Sequence, residues 1–118
     1  MAEISWFDEF PGAITITDAH GTIIAMNHMS ADEVFKSSGG RDLIGKSVLD
    51  CHPESAKKEI QHQLDSHQTN VYTIEKNGKK VFVYEAPWYQ DGVYSGIVEL
   101  YLEIPFEVPN HIRAAKSS

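Results

Sequence analysis

The chain has 118 residues, with ten Lys or Arg and seventeen Asp or Glu, so its formal net charge is −7. This length suits one domain with a single core, and a hydrophobic content of 42% is typical of a folded chain rather than a disordered one. Domains that bind duplex nucleic acid normally carry the opposite charge, so we expect no nucleic-acid partner.

The cysteine content and the lengths of the apolar runs indicate the cellular compartment of the protein. Cys51 is the single cysteine, so an intramolecular disulfide cannot form. The first residues lack the basic and apolar regions of a secretion signal, and no apolar run reaches membrane-spanning length. We therefore expect a cytoplasmic protein without a membrane partner.

The first ten residues form an apolar N-terminal segment. Ile4, Phe7 and Phe10 recur at helical spacing, with Trp6 beside them. The pattern predicts a short amphipathic helical turn that ends at Pro11 and the glycine after it. We assign residues 1–10 to an N-terminal cap.

A β-hairpin and a short helix follow. Residues 13–18 alternate and are rich in β-branched side chains, residues 18–21 have turn composition, and residues 22–27 read as the partner strand. Ser30 with Glu33 three residues later matches a capping box, which predicts a helix over 31–37.

The longest predicted helix runs from His52 to about residue 67. Asp50 is the candidate cap, and a proline at position 53 suits the first turn. A rotation of about 100° per residue places Ala56, Ile60 and Leu64 on one inward stripe. His62 projects away from that stripe.

The last third of the sequence is β-structure. Strands at 71–75, 80–89 and 93–104 are separated by Asn-Gly and Asp-Gly pairs, which are strong hairpin signals. Pro87 and Gly96 predict bulges or edges. In the final strand, we assign Leu100 to the helix-covered face and the apolar Ile97 and Tyr101 to the outer face.

This element order predicts an α+β domain. Three consecutive hairpin-connected strands must be antiparallel, and the connection that holds the helices crosses one face of the sheet. We expect a five-stranded antiparallel sheet with short helices and one longer helix on one face, and a pocket between the two layers.

Residues 8 to 104 resemble a PAS domain. The resemblance rests on the order and spacing of several segments, namely 11–14, 18–23, Asn27, 31–35, 43–47 and the two C-terminal hairpins. It implies the strand order 2-1-5-4-3, a PAS domain over 11–105 and a C-terminal tail over 106–118. It also implies a sensory or signalling role, a small ligand between sheet and helices, and a homodimer through the N-terminal segment and the outer sheet face. A signalling partner or a fused output domain would carry the signal.

The candidate ligand-binding residues are mostly apolar. Two methionines, which adapt to irregular shapes, and one histidine at the expected pocket edge are among them. The candidates are Met26, Met29, Val34, Leu43, Val48, Cys51, His52, Ile60, Tyr84 and Leu100. The same residues could instead form a packed core, and the PAS domain would then serve only in dimerisation or protein docking.

Residue patterns typical of particular cofactors make some cofactors less expected here but do not identify one. The sequence around Cys51 does not match the flavin-binding cysteine motif of PAS photoreceptors, so flavin is disfavoured. Cys51 lies near the chromophore cysteine position of photoactive yellow protein, but the tyrosine and glutamate that hold that chromophore have no evident counterparts. Haem sensors use a histidine on the long helix, and here the inward stripe is apolar. His52 would be the axial ligand if haem were bound.

No pattern in the sequence indicates catalysis. There is no glycine-rich phosphate loop, and no histidine pair has metal-ligand spacing. Cys51 and His52 are adjacent, but adjacency in sequence does not create a thiolate–imidazole pair. We therefore expect a sensory module with no enzymatic activity and no bound metal.

Overall fold

The computed structural model describes residues 4–50 and 52–115. Its sheet has five antiparallel strands in the order β2-β1-β5-β4-β3. The strands are β1 (Ala13–Thr17), β2 (Ile23–Met26), β3 (Asn70–Lys76), β4 (Lys79–Gln90) and β5 (Val93–Ile104), and one α-helix, α1 (Glu54–Ser66), precedes β3. The predicted α+β fold and strand order are confirmed.

Two tight turns join the last three strands. Asn77 and Gly78 have φ values of 53° and 75°, and Asp91 and Gly92 have values of 52° and 79°. A positive φ at both central residues suits the right-handed twist of the flanking strands. Both predicted hairpins are therefore present.

The β4–β5 ladder contains a bulge close to the position that the sequence predicts. Its pairing shifts by one residue between Trp88 and Tyr89, opposite Gly96. Gly96 has φ 140°, and a Cβ at this position would overlap the carbonyl oxygen of Thr17 on β1. Glycine is therefore required here, because β1 and β5 approach each other too closely for a side chain.

The face assignment of β5 from the sequence was wrong. Glu99 pairs with Thr15 and Glu85, and all three side chains line the cavity beneath the helices. Leu100, one residue later, therefore lies on the outer face with its partner Tyr84. Both faces of this strand carry apolar residues. The alternation of side chains along β5 therefore divides its residues between two faces, but it does not indicate which face is buried.

Helix α1 follows its predicted course, with a correction at its start. Pro53 is the N-cap residue and no side chain caps the helix, so the assignment of Asp50 as the cap was wrong. His67 ends the helix in the left-handed conformation, with φ 57°. Leu64 is buried and Ile60 half-buried, which confirms the inward stripe.

The segment after β2 is tighter and more irregular than predicted. A π-helical turn at Ser30–Val34 is followed by 3₁₀ turns at Lys36–Ser38 and Gly40–Leu43. The capping-box interpretation was wrong, because the hydroxyl of Ser30 lies 2.6 Å from that of Thr15 on β1. The serine thus joins the helical layer to the sheet.

Asn27 performs the capping role that the sequence assigned to Ser30. Its side-chain oxygen accepts hydrogen bonds from the backbone N–H groups of Ile14 at 2.9 Å and Ser30 at 3.1 Å. Its amide nitrogen donates to the carbonyl of Gly12 at 2.8 Å. Since Asn27 is completely buried, these three bonds fix the entry of β1 against the end of β2.

The N-terminal segment forms a turn at residues 7–9 instead of the predicted helical turn. The carbonyl of Asp8 accepts a hydrogen bond from the backbone of His28 at 3.1 Å, and its carboxylate lies 3.3 Å from Arg41. Trp6 packs edge-on against Phe10, with ring centroids 5.7 Å apart. The domain limits at residues 11 and 105 stay a prediction.

Within residues 4–50 and 52–115, no helix has both the length and the apolar character needed to cross a bilayer.

The asparagine bridge yields a first prediction. Asn27→Ala leaves the N–H groups of Ile14 and Ser30 without their buried acceptor, which should lower the free energy of unfolding by about 3 kcal/mol. Urea unfolding followed by circular dichroism measures this loss. Asn110→Ala, in the exposed tail, is the matched control and should change stability by less than about 0.5 kcal/mol. A loss in Asn27→Ala as small as in the control would contradict the bridging role.

Candidate ligand cavity

A cavity of about 60 Å³ lies between the sheet and the helical layer. Four strands and the segments around α1 contribute its walls. It is lined by Thr15, Thr17, Ile23, Phe35, Leu43, Val48, His52, Ile60, Gln63, Glu85, Ile97 and Glu99. Most of the wall is apolar, and the polar groups are concentrated on β1, β4, β5 and α1.

Four of the predicted site residues line this cavity: Leu43, Val48, His52 and Ile60. Met26 is instead buried in the core cluster that packs next to it. These four residues belong to the loop and helix walls of the cavity, and their role in ligand binding stays a prediction.

The other predicted site residues lie elsewhere. Met29 and Val34 line a separate groove beside the β3–β4 turn. Tyr84 and Leu100 pair on the outer face of the sheet, because the face of β5 was assigned the wrong way round. Cys51 lies outside the residues that the structure describes.

His52 is held by the loop that precedes it. Its Nδ1 lies 2.7 Å from the carbonyl oxygen of Val48. A carbonyl can only accept, so Nδ1 carries the proton and, in the neutral ring, Nε2 keeps a free lone pair. This contact fixes the ring at the cavity wall.

The main polar feature of the cavity is a carboxyl pair that the sequence analysis missed. Glu85 on β4 and Glu99 on β5 are directly opposite each other, and their side chains hydrogen-bond. A two-residue turn alone would pair Glu85 with Val98. The bulge at Trp88 shifts the pairing by one residue and brings the two carboxyls together. The available signal was a glutamate flanked by apolar residues near the middle of each of these two strands.

The surroundings of Glu99 favour its protonated form. Burial is the largest cause, followed by the hydrogen bond to Glu85 and the charge of that neighbour, and together they raise the pKa of Glu99 to about 8. Glu99 keeps some accessible surface, and it lines the cavity. The pair therefore shares a proton at neutral pH.

Neighbouring side chains fix the position of Glu85. Asn70 on β3 donates to its carboxylate at 3.1 Å, and Gln63 on α1 donates to its backbone carbonyl at 3.3 Å. The carboxyl of Glu85 is therefore oriented from the β3 side, while Gln63 connects α1 to the same residue.

A wider groove between α1 and β3 continues from the cavity. Its volume is about 490 Å³, and it shares five wall residues with the cavity, including both glutamates. Glu59 and Tyr72 are among the residues that it adds. Burial, with the charges of Glu85 and Glu99, raises the pKa of Tyr72 to about 12. The groove is therefore acidic and gives a route to the carboxyl pair.

Metal ligands are not grouped in residues 4–50 and 52–115. No three His, Asp or Glu side chains of this part of the chain are positioned to hold an ion together.

Comparison with known proteins identifies the fold of the chain. No family model matches the chain, and no curated protein matches it. Solved structures do match. The sensory box sensor histidine kinase of Vibrio cholerae superimposes with a TM-score of 0.63 and 13% identity, over 85% of this chain and 86% of that chain. The PAS domain of Bordetella pertussis BvgS gives 0.62 and 17%, over 84% and 81%.

The chain has the PAS fold. A third match is the Aer2 receptor of Vibrio cholerae, a dual PAS-heme oxygen sensor, with a TM-score of 0.56 and 14% identity over 80% of this chain and 95% of that chain. At these identities the similarity extends to the fold alone.

Haem does not fit the cavity of this PAS fold. Sites that enclose a drug-sized ligand have volumes of about 300–1,000 Å³, far above the 60 Å³ found here. The expected axial ligand, His52, lies in a wall that also carries Glu85 and Glu99, so haem propionates would meet carboxyls instead of cations. The weaker alternative, a haem-binding sensor, therefore does not fit this cavity.

The raised pKa of Glu99 predicts how stability depends on pH. The folded state binds a proton that the unfolded state releases near pH 4.5, so this contribution is complete at low pH and is lost as the pH rises to about 8. The free energy of unfolding should fall between pH 5 and pH 8, by on the order of 1 kcal/mol per pH unit at the steepest.

Glu99→Gln should remove this slope, because an amide can donate to Glu85 without titrating. Urea unfolding at pH 5, 6.5 and 8 measures the effect. The matched control is Glu103→Gln, an exposed position on the same strand, which should keep the wild-type slope. Parallel pH profiles for wild type and Glu99→Gln would show that Glu99 titrates normally.

Proposed function

We propose that this PAS fold is a sensory or signalling module that binds a small molecule in the cavity between sheet and helices. The observation that carries the proposal is the mostly apolar cavity beside the hydrogen-bonded carboxyl groups of Glu85 and the largely buried Glu99. Burying a carboxyl without a compensating partner costs stability, and an apolar pair at this position would pack without that cost. A ligand that bonds to the pair gives the two carboxyls a function.

The competing function is a filled core that serves only in docking. In that case, the side chains would fill the space to the usual density of a protein interior. The wall residues Val48 and Ile60 instead face open space next to Glu99. This favours ligand binding over a purely packed core.

We propose that the module is not an enzyme. PAS domains are among the structures that it matches, and the polar groups that line the cavity in the described part of the chain do not form a nucleophile–base arrangement. His52 Nδ1 is engaged by the carbonyl of Val48, which leaves it fixed at the wall. The site then acts by binding a ligand and by changing the structure around that ligand.

The proposed signal passes through the two elements that meet at the cavity. A ligand bonded to Glu99 contacts β5, and its body contacts Ile60 and Gln63 on α1. Gln63 also bonds to the backbone of Glu85, so movement of α1 and of the β4–β5 hairpin would be coupled. A signalling partner or a fused output domain would detect that movement.

We further propose that a second copy of the chain covers the outer sheet face. Val71 and Tyr84 pair on this face and remain 49% and 38% exposed, and Leu100 lies next to them. Phe10 and Leu102 both approach Gly12, so the N-terminal segment covers only one end of the face. Two chains of net charge −7 can approach each other most easily through such an uncharged surface.

Filling the cavity tests the proposed ligand binding. Protein purified from its native cells, or incubated with their small-molecule extract, should show an added mass in non-denaturing mass spectrometry that disappears on denaturation. Val48→Phe fills the cavity and should lose at least nine-tenths of this adduct. Val108→Phe, in the exposed tail, is the control and should retain it. Identical spectra for both variants, or no adduct on the wild type, would contradict ligand binding in the cavity.

A charge on the outer face tests the proposed dimer. Tyr84→Arg should weaken self-association at least tenfold by sedimentation analysis, because two like charges would meet in an apolar interface. Ile112→Arg, at a position that is 91% exposed, should leave association unchanged. A monomeric wild type at high concentration would refute pairing through this face.

A further inference from the structure

We propose that the cavity selects a small organic cation, an amine or amidine whose N–H groups donate to Glu99 and Glu85 and whose short apolar body lies against Phe35 and Val48. This inference rests on the proposed ligand binding and specifies the chemical class of the ligand. It is carried by the hydrogen-bonding capacity, the charge and the shape of the cavity.

Both threonine hydroxyls of the cavity wall are already hydrogen-bonded. Thr15 and Ser30 share a hydrogen bond of 2.6 Å. The hydroxyl of Thr17 donates to the carbonyl of Asp18 at 3.0 Å and accepts from the backbone N–H of Ile97 at 3.1 Å. A ligand therefore finds few free hydroxyl donors on the β1 wall.

The nitrogen atoms of Gln63 and His52 that donate are also hydrogen-bonded, whereas Glu99 keeps acceptor capacity. Gln63 donates to the backbone carbonyl of Glu85, and Nδ1 of His52 bonds to Val48. Glu99 has Glu85 as its hydrogen-bond partner in the described part of the chain, which leaves acceptor capacity directed into the cavity. A buried carboxyl whose partner is another acid favours a ligand that donates hydrogen bonds.

The charges around the cavity favour a cation. Neither Lys nor Arg occurs among the residues that line it, within the part of the chain that the structure describes. Glu59 on α1 and Tyr72 on β3 border the adjoining groove and add no positive charge. An anionic ligand would enter a site that already contains two carboxyls, so phosphate or carboxylate groups are disfavoured.

The proton that the pair shares connects binding to pH. Glu99 is faced by Glu85 from β4, by Tyr72 from β3 and by His52 and Glu59 from the α1 side, while β1 contributes only the neutral Thr15 and Thr17. The pKa of Glu99 is about 8, so at pH 7 an incoming ammonium group displaces the shared proton to solvent. Binding should therefore release close to one proton per ligand.

The cavity limits the size of the ligand. A volume of about 60 Å³ accommodates several water molecules or a short aliphatic group. The groove of about 490 Å³ begins at the same glutamates, so a longer substituent could extend beneath α1. The cationic group then lies where the two spaces meet.

Three probes with three carbon atoms each test the inference, namely propylamine, 1-propanol and propionate. Methyl resonances of Val48, Ile60 and Ile97 in the full chain measure binding by NMR titration at constant ionic strength. At pH 9, propylamine should bind at least ten times more tightly than 1-propanol, and propionate should not bind. The affinity for propylamine should fall about tenfold between pH 9 and pH 7, because the shared proton must leave.

Two variants distinguish binding in the cavity from binding to acidic groups on the surface of the protein. Glu99→Gln should bring propylamine to within about twofold of 1-propanol, whereas Glu103→Gln should keep the wild-type preference. Equal binding of amine and alcohol by the wild type would overturn the ligand class and leave the proposed function intact. If Glu99→Gln still preferred the amine, the amine would be binding outside the cavity, and the inference would be overturned. No shift of the cavity methyl groups with any probe would contradict the proposed function itself.

Discussion

The close approach of β1 to β5 at Gly96 is the constraint on which the cavity depends. The Thr17 carbonyl occupies the space that a side chain at residue 96 would need, and it accepts a hydrogen bond from the Trp88 indole at 2.9 Å. The same contact region contains the bulge that shifts the β4–β5 pairing. Because of this shift, Glu85 and Glu99 are opposite each other. One local backbone feature thus determines which side chains meet at the cavity wall.

The carboxyl pair makes this sheet less stable than it could be. The largely buried Glu99 shares a proton with the half-buried Glu85, and the folded state loses stability as that proton is removed. The outer face of the same strands carries Leu100 and Leu102, which would fill an interior well. The inner face therefore holds two acids among its buried aliphatic residues, while leucines on the outer face stay partly exposed, a distribution that stability alone does not favour. Such a distribution is understandable if the inner face binds a polar ligand and the outer face binds another protein surface.

The sequence contained strong signals for the order of elements and weaker signals for orientation. The Asn-Gly and Asp-Gly pairs predicted both hairpins, because few other residue pairs adopt positive φ twice in succession. The stripe of Ala56, Ile60 and Leu64 correctly predicted the inward face of α1. The face of β5 could not be deduced in this way, because a strand with two apolar faces looks the same when reversed. The capping box failed because Ser30 bonds to a distant strand, and local spacing cannot reveal that contact.

The attachment of α1 explains how an event in the cavity could reach the rest of the domain. At its C-terminal end, the ring of His67 stacks on Tyr94 of β5, with centroids 3.5 Å apart. Near its N-terminal end, His52 is held by the loop carbonyl of Val48. Between these points only Leu64 is buried, so the middle of the helix spans the cavity with few apolar anchors. A helix held at its ends and loosely packed in the middle can move when the space beneath it is filled, because little packing has to be broken. Since Gln63 bonds to the backbone of Glu85, such a movement would be transmitted directly to the strand that carries half of the carboxyl pair.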